Sequence, residues 1–255
     1  MTPTPTPLLH RSRTPVGTWL KMAAPEPVEI MAHAGFDFVV IDLEHAPLTL
    51  ETAYRLVNSA AALGMTPLVR VPDHTPSTIQ RVLDAGAGGV LVPRVDTVEQ
   101  ALAVSRATRF PPQGSRGAGG TSRAGRWGLR PGAEYLAEGN DSVLCIPQLE
   151  SEEAISAAPE ILALPEVDAV FVGAVDLALS MGLPAAASAV QALVNRVLSA
   201  AADAGKPCGL AFGATPEQAA RAGAGFVVLG NDTSMLAVAA HGAVDGFRAA
   251  SRAAR

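Results

Sequence analysis

The feature that most constrains the fold is an alternation of eight short apolar runs with alanine-rich stretches of helical period. Such alternation is the mark of parallel α/β folds. The runs are VGTWL (16–20), DFVVID (37–42), PLVRV (67–71), GVLVP (89–93), SVLCIP (142–147), DAVFVG (168–173), CGLAF (208–212) and GFVVLG (225–230). Several are continuously apolar, as expected of strands buried on both faces. Helices are predicted over 25–34, 50–63, 76–85, 97–108, 151–163, 187–204, 215–222 and 233–250. Gly35, Gly64, Gly86, Gly205 and Gly223 fall where helices should stop, and Thr49, Thr75, Thr97, Ser151 and Thr215 where helices should start. Eight strands and eight helices in 255 residues predict one (β/α)8 barrel over residues 15–255. A doubly wound open sheet is the structural rival.

Composition removes several function classes. With 49% hydrophobic and 17% charged residues, the chain can bury a sizeable core. Nineteen basic against 24 acidic side chains leave a net charge of −5, so no polybasic surface for nucleic acid is expected. No apolar stretch approaches the ~20 residues of a membrane-spanning helix. The N-terminus MTPTPTPLLHRSR lacks a signal-peptide pattern, and a cytoplasmic location is expected. Residues 1–14 read as a disordered or extended leader. Cys145 and Cys208 have no partner at metal or redox spacing and are expected to be buried thiols. One segment breaks the rhythm: residues 110–141, rich in Gly, Pro and Arg, which are too many for an ordinary connection. Its glycines do not follow a strand and open a helix, so it is not a phosphate loop.

In an α/β barrel, residues just past the strands' C-terminal ends line one mouth. The polar residues so placed are Asp42, Glu44 and His45 after the second run, Arg70 at the third and Arg94 after the fourth. Gln148 and Glu150 follow the fifth, Asp176 the sixth, and Asn231 and Asp232 the eighth. Glu150 and Asp176 follow adjacent strands in apolar contexts. That placement suits a shared hard divalent cation, and equally a pair of solvated loop acids or helix caps. His45 is placed for a general base or for a hydrogen-bonded structural histidine, and Arg70 for a buried ion pair or for holding an oxyanion. Trp19, ending the first run, either walls the mouth or fills the barrel top. Lys21 is the one lysine at a strand end, while Lys206 precedes the seventh run at the wrong end, which argues against a Schiff-base mechanism.

Taken in order, GFDFVVIDLEHAP (35–47), PLVRVP (67–72), LDAGAGGVLVPRVDTVEQA (83–101), SRGAGG with RAGRWG (115–128), IPQLES (146–151), VFVGAVDLALSMG (170–182) and GFVVLGNDTSML (225–236) resemble the HpcH/HpaI aldolase family, the metal-dependent class II pyruvate aldolases. The resemblance spans residues 15–250. It implies a (β/α)8 TIM barrel of the phosphoenolpyruvate/pyruvate type, assembled as a hexamer of paired subunits that exchange their C-terminal helix. It also implies a carbon–carbon lyase, similar to 4-hydroxy-2-oxoheptanedioate aldolase, that cleaves a 4-hydroxy-2-oxo acid to pyruvate and an aldehyde through a metal-stabilised enolate. On that pattern Glu150 and Asp176 hold the divalent ion (Mg²⁺, Mn²⁺ or Co²⁺), with Gln148 beside them. Arg70 faces the keto oxygen, and His45 with Asp84 forms the acid/base dyad. The amides of Gly173, Ala174 and Val175 receive the pyruvate carboxylate, while Asp42 and Glu44 support these groups. Trp19 and Phe212 complete the substrate-binding set. The aldehyde half is expected to meet Arg116, Arg123 and Trp127 of the long segment, and Leu210 or Phe212, with help from a neighbouring subunit. One departure stands out, since the family commonly has proline where this chain has Ala174. A lyase or decarboxylase acting on oxaloacetate or a citramalyl-CoA-like substrate is the alternative within the superfamily. A barrel that binds an oxo acid without turning it over is the remote one.

Overall fold

Successive side chains of a strand point to opposite faces, and this period sorts the apolar runs into two cores. Phe38, Val40, Leu68, Leu91, Ile146, Ala169, Phe171, Phe226 and Val228 pack together inside the barrel, whereas Val39, Ile41, Val69, Val90 and Val92 pack outward against the helices. The computed structural model describes residues 8–10, 13–213 and 215–254. Eight parallel strands close in sequence order into one barrel: β1 (Val16–Leu20), β2 (Phe38–Asp42), β3 (Thr66–Arg70), β4 (Gly89–Val92), β5 (Leu144–Leu149), β6 (Val170–Val172), β7 (Cys208–Phe212) and β8 (Phe226–Asn231). The open sheet is thereby excluded.

The helices are α1 (Glu26–Ala34), α2 (Leu50–Ala62), α3 (Pro76–Asp84), α4 (Val98–Thr108), α5 (Gly132–Asp141), α6 (Glu152–Leu162), α7 (Ala174–Ser180), α8 (Ser188–Asp203), α9 (Pro216–Arg221) and α10 (Asp232–Ala253). Thr49, Thr97 and Ser151 cap α2, α4 and α6 through side-chain hydrogen bonds. Thr75 and Thr215 make no such bond, and their helices start instead on a proline at the first positions. Two helices went unread in the sequence. The short α7 follows β6 directly, and α5 occupies the end of the segment 110–141, with Tyr135 packed on Phe110 at 5.1 Å between ring centroids. The fifth strand begins two residues later than its apolar run suggested, which places Gln148 on the strand itself. Part of the expected leader is also structured: Leu8–His10 is a 3-10 turn, and Leu8 packs into the barrel interior. Residues 1–7 and 11–12 lie outside those described.

The interior is filled by aromatic rings that depend on missing β-carbons. Phe226 lies 6.0 Å from Phe38 and 6.1 Å from Phe171 between centroids, and a side chain at Gly209 would overlap the Phe226 ring, as one at Gly17 would overlap Phe38. Gly209→Ala should therefore cost about 1–3 kcal/mol through overpacking, read as a lowered urea midpoint at unchanged slope. Stability equal to the parent chain would show that the rings yield freely. The last helix has the opposite character. Along α10 Asp232 alone is buried, while Leu236, Val238, Val244 and Phe247 are all exposed. Among the described residues no helix is long and apolar enough to cross a membrane, and both cysteines are free and buried.

Candidate active site

Strand register and the two-residue period decide which polar groups meet. Asp42 and Arg70 sit directly opposite each other where β2 pairs with β3, and both continue the inward-facing sets Phe38–Val40 and Leu68. Arg70 Nε donates to Asp42 Oδ1 at 2.9 Å and Nη2 to Oδ2 at 2.8 Å, the two-pronged geometry that a guanidinium forms with a carboxylate. Lys21 Nζ adds a second ion pair to Oδ2 at 3.0 Å, and the backbone amides of Glu44 and His45 donate to Oδ1 at 3.2 Å. Burial opposes ionisation of Asp42, but the hydrogen bonds and charge of Arg70, with Lys21 and the His45 amide, outweigh it and lower its pKa to about 2. The Arg70 guanidinium lies 4.2 Å from the Trp19 ring centroid, and Trp19 packs edge-on against Phe171 at 5.9 Å. Trp19 is thus the platform beneath Arg70.

Glu44 Oε2 stands 3.2 Å from Arg70 Nη1 and 3.6 Å from His45 Nε2, close enough for ion pairing but without an aligned hydrogen bond. His45 itself is about half exposed, at 51% of its side chain. With Arg94, Asp96, Glu150, Ser151 and Asp176, these two residues line a cavity of about 240 Å³ at the barrel mouth. Glu150 continues the inward set Ile146–Gln148 of β5. Arg94 N–H donates to its Oε2 at 3.1 Å, and Gln148 Nε2 donates to its Oε1. Burial and then the negative charge of Asp176 raise the Glu150 pKa to about 7, with Glu44 adding to them. Asp176 is exposed on the first turn of α7.

This arrangement fits a divalent cation. Two carboxylates share one cavity at a cost that such an ion would relieve, and the buried Gln148 Oε1 has no partner. A β-carbon at Gly173 would collide with the Glu150 carboxyl, so the close approach of the β6 end to Glu150 requires glycine. Among the described residues no third His, Cys, Asp or Glu joins the pair. A cation there keeps coordination positions for water and ligand oxygens, as Mg²⁺ sites do.

Several expected groupings do not form within one chain. Asp84 ends α3, which runs from the mouth back to the opposite face. There Arg116 Nη2 donates to it at 2.8 Å, so a His45–Asp84 dyad is not assembled within the chain. Arg116, Arg123 and Trp127 lie on that same far face, around a separate cavity with Tyr135 and Arg130, because their segment follows α4 and precedes β5. They do not reach the mouth of their own barrel. Gly173 N–H is spent on Leu149 O at 3.1 Å, so Gly173 contributes space rather than a donor. Ala174 and Val175 are in the first turn of α7, where amides lack helical partners. They line a second cleft with Leu210 and Phe212. Lys21 and Arg94 stood at strand ends in the sequence without an assigned role. Lys21 has the inward parity of Trp19, a signal already present in the order of residues.

A closed barrel with a buried arginine–aspartate pair, a half-exposed histidine and two facing carboxylates at the C-terminal mouth is an α/β-barrel enzyme site. Residues 15–239 match the family model of HpcH/HpaI aldolase/citrate lyase. The chain belongs to that family and is a carbon–carbon lyase. It is 39% identical to the 2-keto-3-deoxy-L-rhamnonate aldolase of Klebsiella pneumoniae, over 89% of this chain and 86% of that one. Against the 2-dehydro-3,6-dideoxy-6-sulfogluconate aldolase of Pseudomonas putida it is 35% identical, over 90% and 91%. A crystal structure of an HpcH/HpaI aldolase/citrate lyase family protein from Burkholderia cenocepacia superposes with a TM-score of 0.89 at 35% identity, over 94% of this chain and 97% of that one.

Proposed function

We propose that this protein is a class II pyruvate aldolase, reversibly cleaving a 4-hydroxy-2-oxo acid to pyruvate and an aldehyde with a divalent cation held by Glu150 and Asp176. The observation that carries this reading is the placement of those two carboxylates in one cavity with Glu44 and His45, next to Arg70. Bound there, a divalent cation supplies Lewis-acid stabilisation of charge developing on the keto oxygen of the oxo acid. Arg70 adds a fixed positive charge to the same oxygen, its orientation set beforehand by Asp42, Glu44 and the Trp19 ring. The amides of Ala174 and Val175 bind the carboxylate. His45 accepts the C4 hydroxyl proton, with the Glu44 carboxylate 3.6 Å from its Nε2. Gln148 orients Glu150.

The exposed apolar residues of α10 support a homo-oligomer, a hexamer in which that helix packs on a second copy. The unpaired buried thiols accord with a cytoplasmic location. The test of the reaction is proton–deuterium exchange at the pyruvate methyl in D₂O, followed by NMR with and without added Mg²⁺, Mn²⁺ or Co²⁺. Cation-dependent exchange is expected without any aldehyde present. Folded, cation-loaded protein that exchanges no faster than buffer would overturn the aldolase reading.

A further inference from the structure

One cation at the mouth stands unmatched. Arg94 follows β4 with its backbone at φ 54°, a left-handed conformation that costs a residue bearing a β-carbon and that recurs where a site demands it. Its amide is fixed by Glu150 Oε2 at 3.1 Å. Its side chain, in contrast, is exposed and forms no hydrogen bond or ion pair with a described residue. The acids that share the cavity lining with Arg94 are engaged elsewhere. Asp96 accepts the Ser151 hydroxyl at 2.5 Å, Glu44 stands between Arg70 and His45, Glu150 accepts from the Arg94 amide and Gln148, and Asp176 is the carboxylate that the proposed cation would take up together with Glu150. Of the mouth's other carboxylates, Asp42 already holds Arg70 and Lys21, and Asp232 accepts the backbone N–H groups of Lys21, Met22 and Thr233. The guanidinium is permanently charged and forked to match an oxoanion, and it has no such partner among the described residues.

We propose that Arg94 is a specificity-determining residue that binds an oxoanion on the aldehyde half of the substrate. The preferred substrates are then 4-hydroxy-2-oxo acids carrying a second acidic group, a carboxylate, phosphate or sulfonate, beyond the hydroxyl-bearing carbon. This inference rests on the aldolase reading above. The cavity's volume of about 240 Å³ is below the range typical of drug-sized ligands, which suits a short aldehyde rather than a large conjugate.

The experiment measures kcat/KM for condensation of pyruvate with two matched pairs: 4-oxobutanoate against pentanal, and glyceraldehyde 3-phosphate against glyceraldehyde. Methyl deuterium exchange of pyruvate is followed in the same preparations. At least one anionic member should be preferred over its neutral match. Arg94→Gln should lower that preference by about 10- to 100-fold, the worth of a charged hydrogen bond, mainly through KM, and Arg94→Lys should retain part of it. The pair that responds identifies the acidic group. Pyruvate exchange with no preference for either anion, or a preference that Arg94→Gln leaves intact, overturns the role of Arg94 while the aldolase reading stands. Absence of exchange overturns both.

Discussion

Glu150→Gln is expected to abolish divalent-cation binding and to bring exchange at the pyruvate methyl down to the buffer rate, a fall of about 10³-fold or more for loss of a Lewis-acid site. Glutamine preserves the volume, so the fold should remain. In the cation-free protein the variant should even be the more stable one at neutral pH. An unfolded glutamate releases its proton near 4.5, whereas folded Glu150 retains it up to about 7. Between those values the native state binds more protons, so stability falls as pH rises from 4.5 to 7 and is level above. The cost at pH 7.5 is about 3 kcal/mol. Thermal unfolding of both proteins across that range should show parent stability dropping relative to the variant, with saturating Mg²⁺ at pH 7.5 recovering it. Calorimetric titration with Mn²⁺ gives an independent reading. A variant that binds Mn²⁺ as tightly as the parent removes Glu150 from the cation site.

Arg70→Leu is expected to lose activity and stability together, and Arg70→Lys to separate them. The leucine variant leaves Asp42, fully buried, with Lys21 as its one ion-pair partner. Breaking a buried pair costs about 3–5 kcal/mol, and loss of the charge over the keto oxygen should lower kcat about 10³-fold or more. Lysine keeps the charge without the fork, so it should recover much of the stability while kcat stays roughly 100-fold down. Asp42 makes the stability effect pH-dependent. Its pKa is lowered from 3.8 to about 2, so its contribution is present above 3.8 and is lost as pH falls towards 2. In Arg70→Leu that contribution shrinks, and acid unfolding should begin at a higher pH. Full kcat in Arg70→Lys would show that charge alone suffices, without the orientation that the fork on Asp42 provides.

Much of this architecture was legible before any tertiary contact was known. Five predicted helix stops, Gly35, Gly64, Gly86, Gly205 and Gly223, all take positive φ, because a left-handed turn is needed there and glycine provides it freely. The apolar runs located all eight strands, and their ends placed Asp42, Glu44, His45, Arg70, Arg94, Glu150 and Asp176 near one another. Less readable was the segment 110–141. Its Gly, Pro and Arg content concealed α5, which is anchored through the packing of Tyr135 on Phe110. The two-residue offset of β5 arose because the run SVLCIP begins at Ser142 while pairing with β4 begins at Leu144.

The order of residues by itself determined the eight alternating strand and helix units, their inward and outward faces, and the set of polar groups delivered to the strands' C-terminal ends. Those follow from local periodicity and from the rule that parallel strands in a barrel end on one face. Only the tertiary structure decided closure of the sheet and who meets whom. Register across β2 and β3 joined Arg70 to Asp42, and the return path of α3 carried Asp84 away from His45 to Arg116. The long segment was likewise put on the face opposite its own active site. Electrostatic partnership depends on distance through space, and in a closed sheet that distance is set by register and closure rather than by separation along the chain.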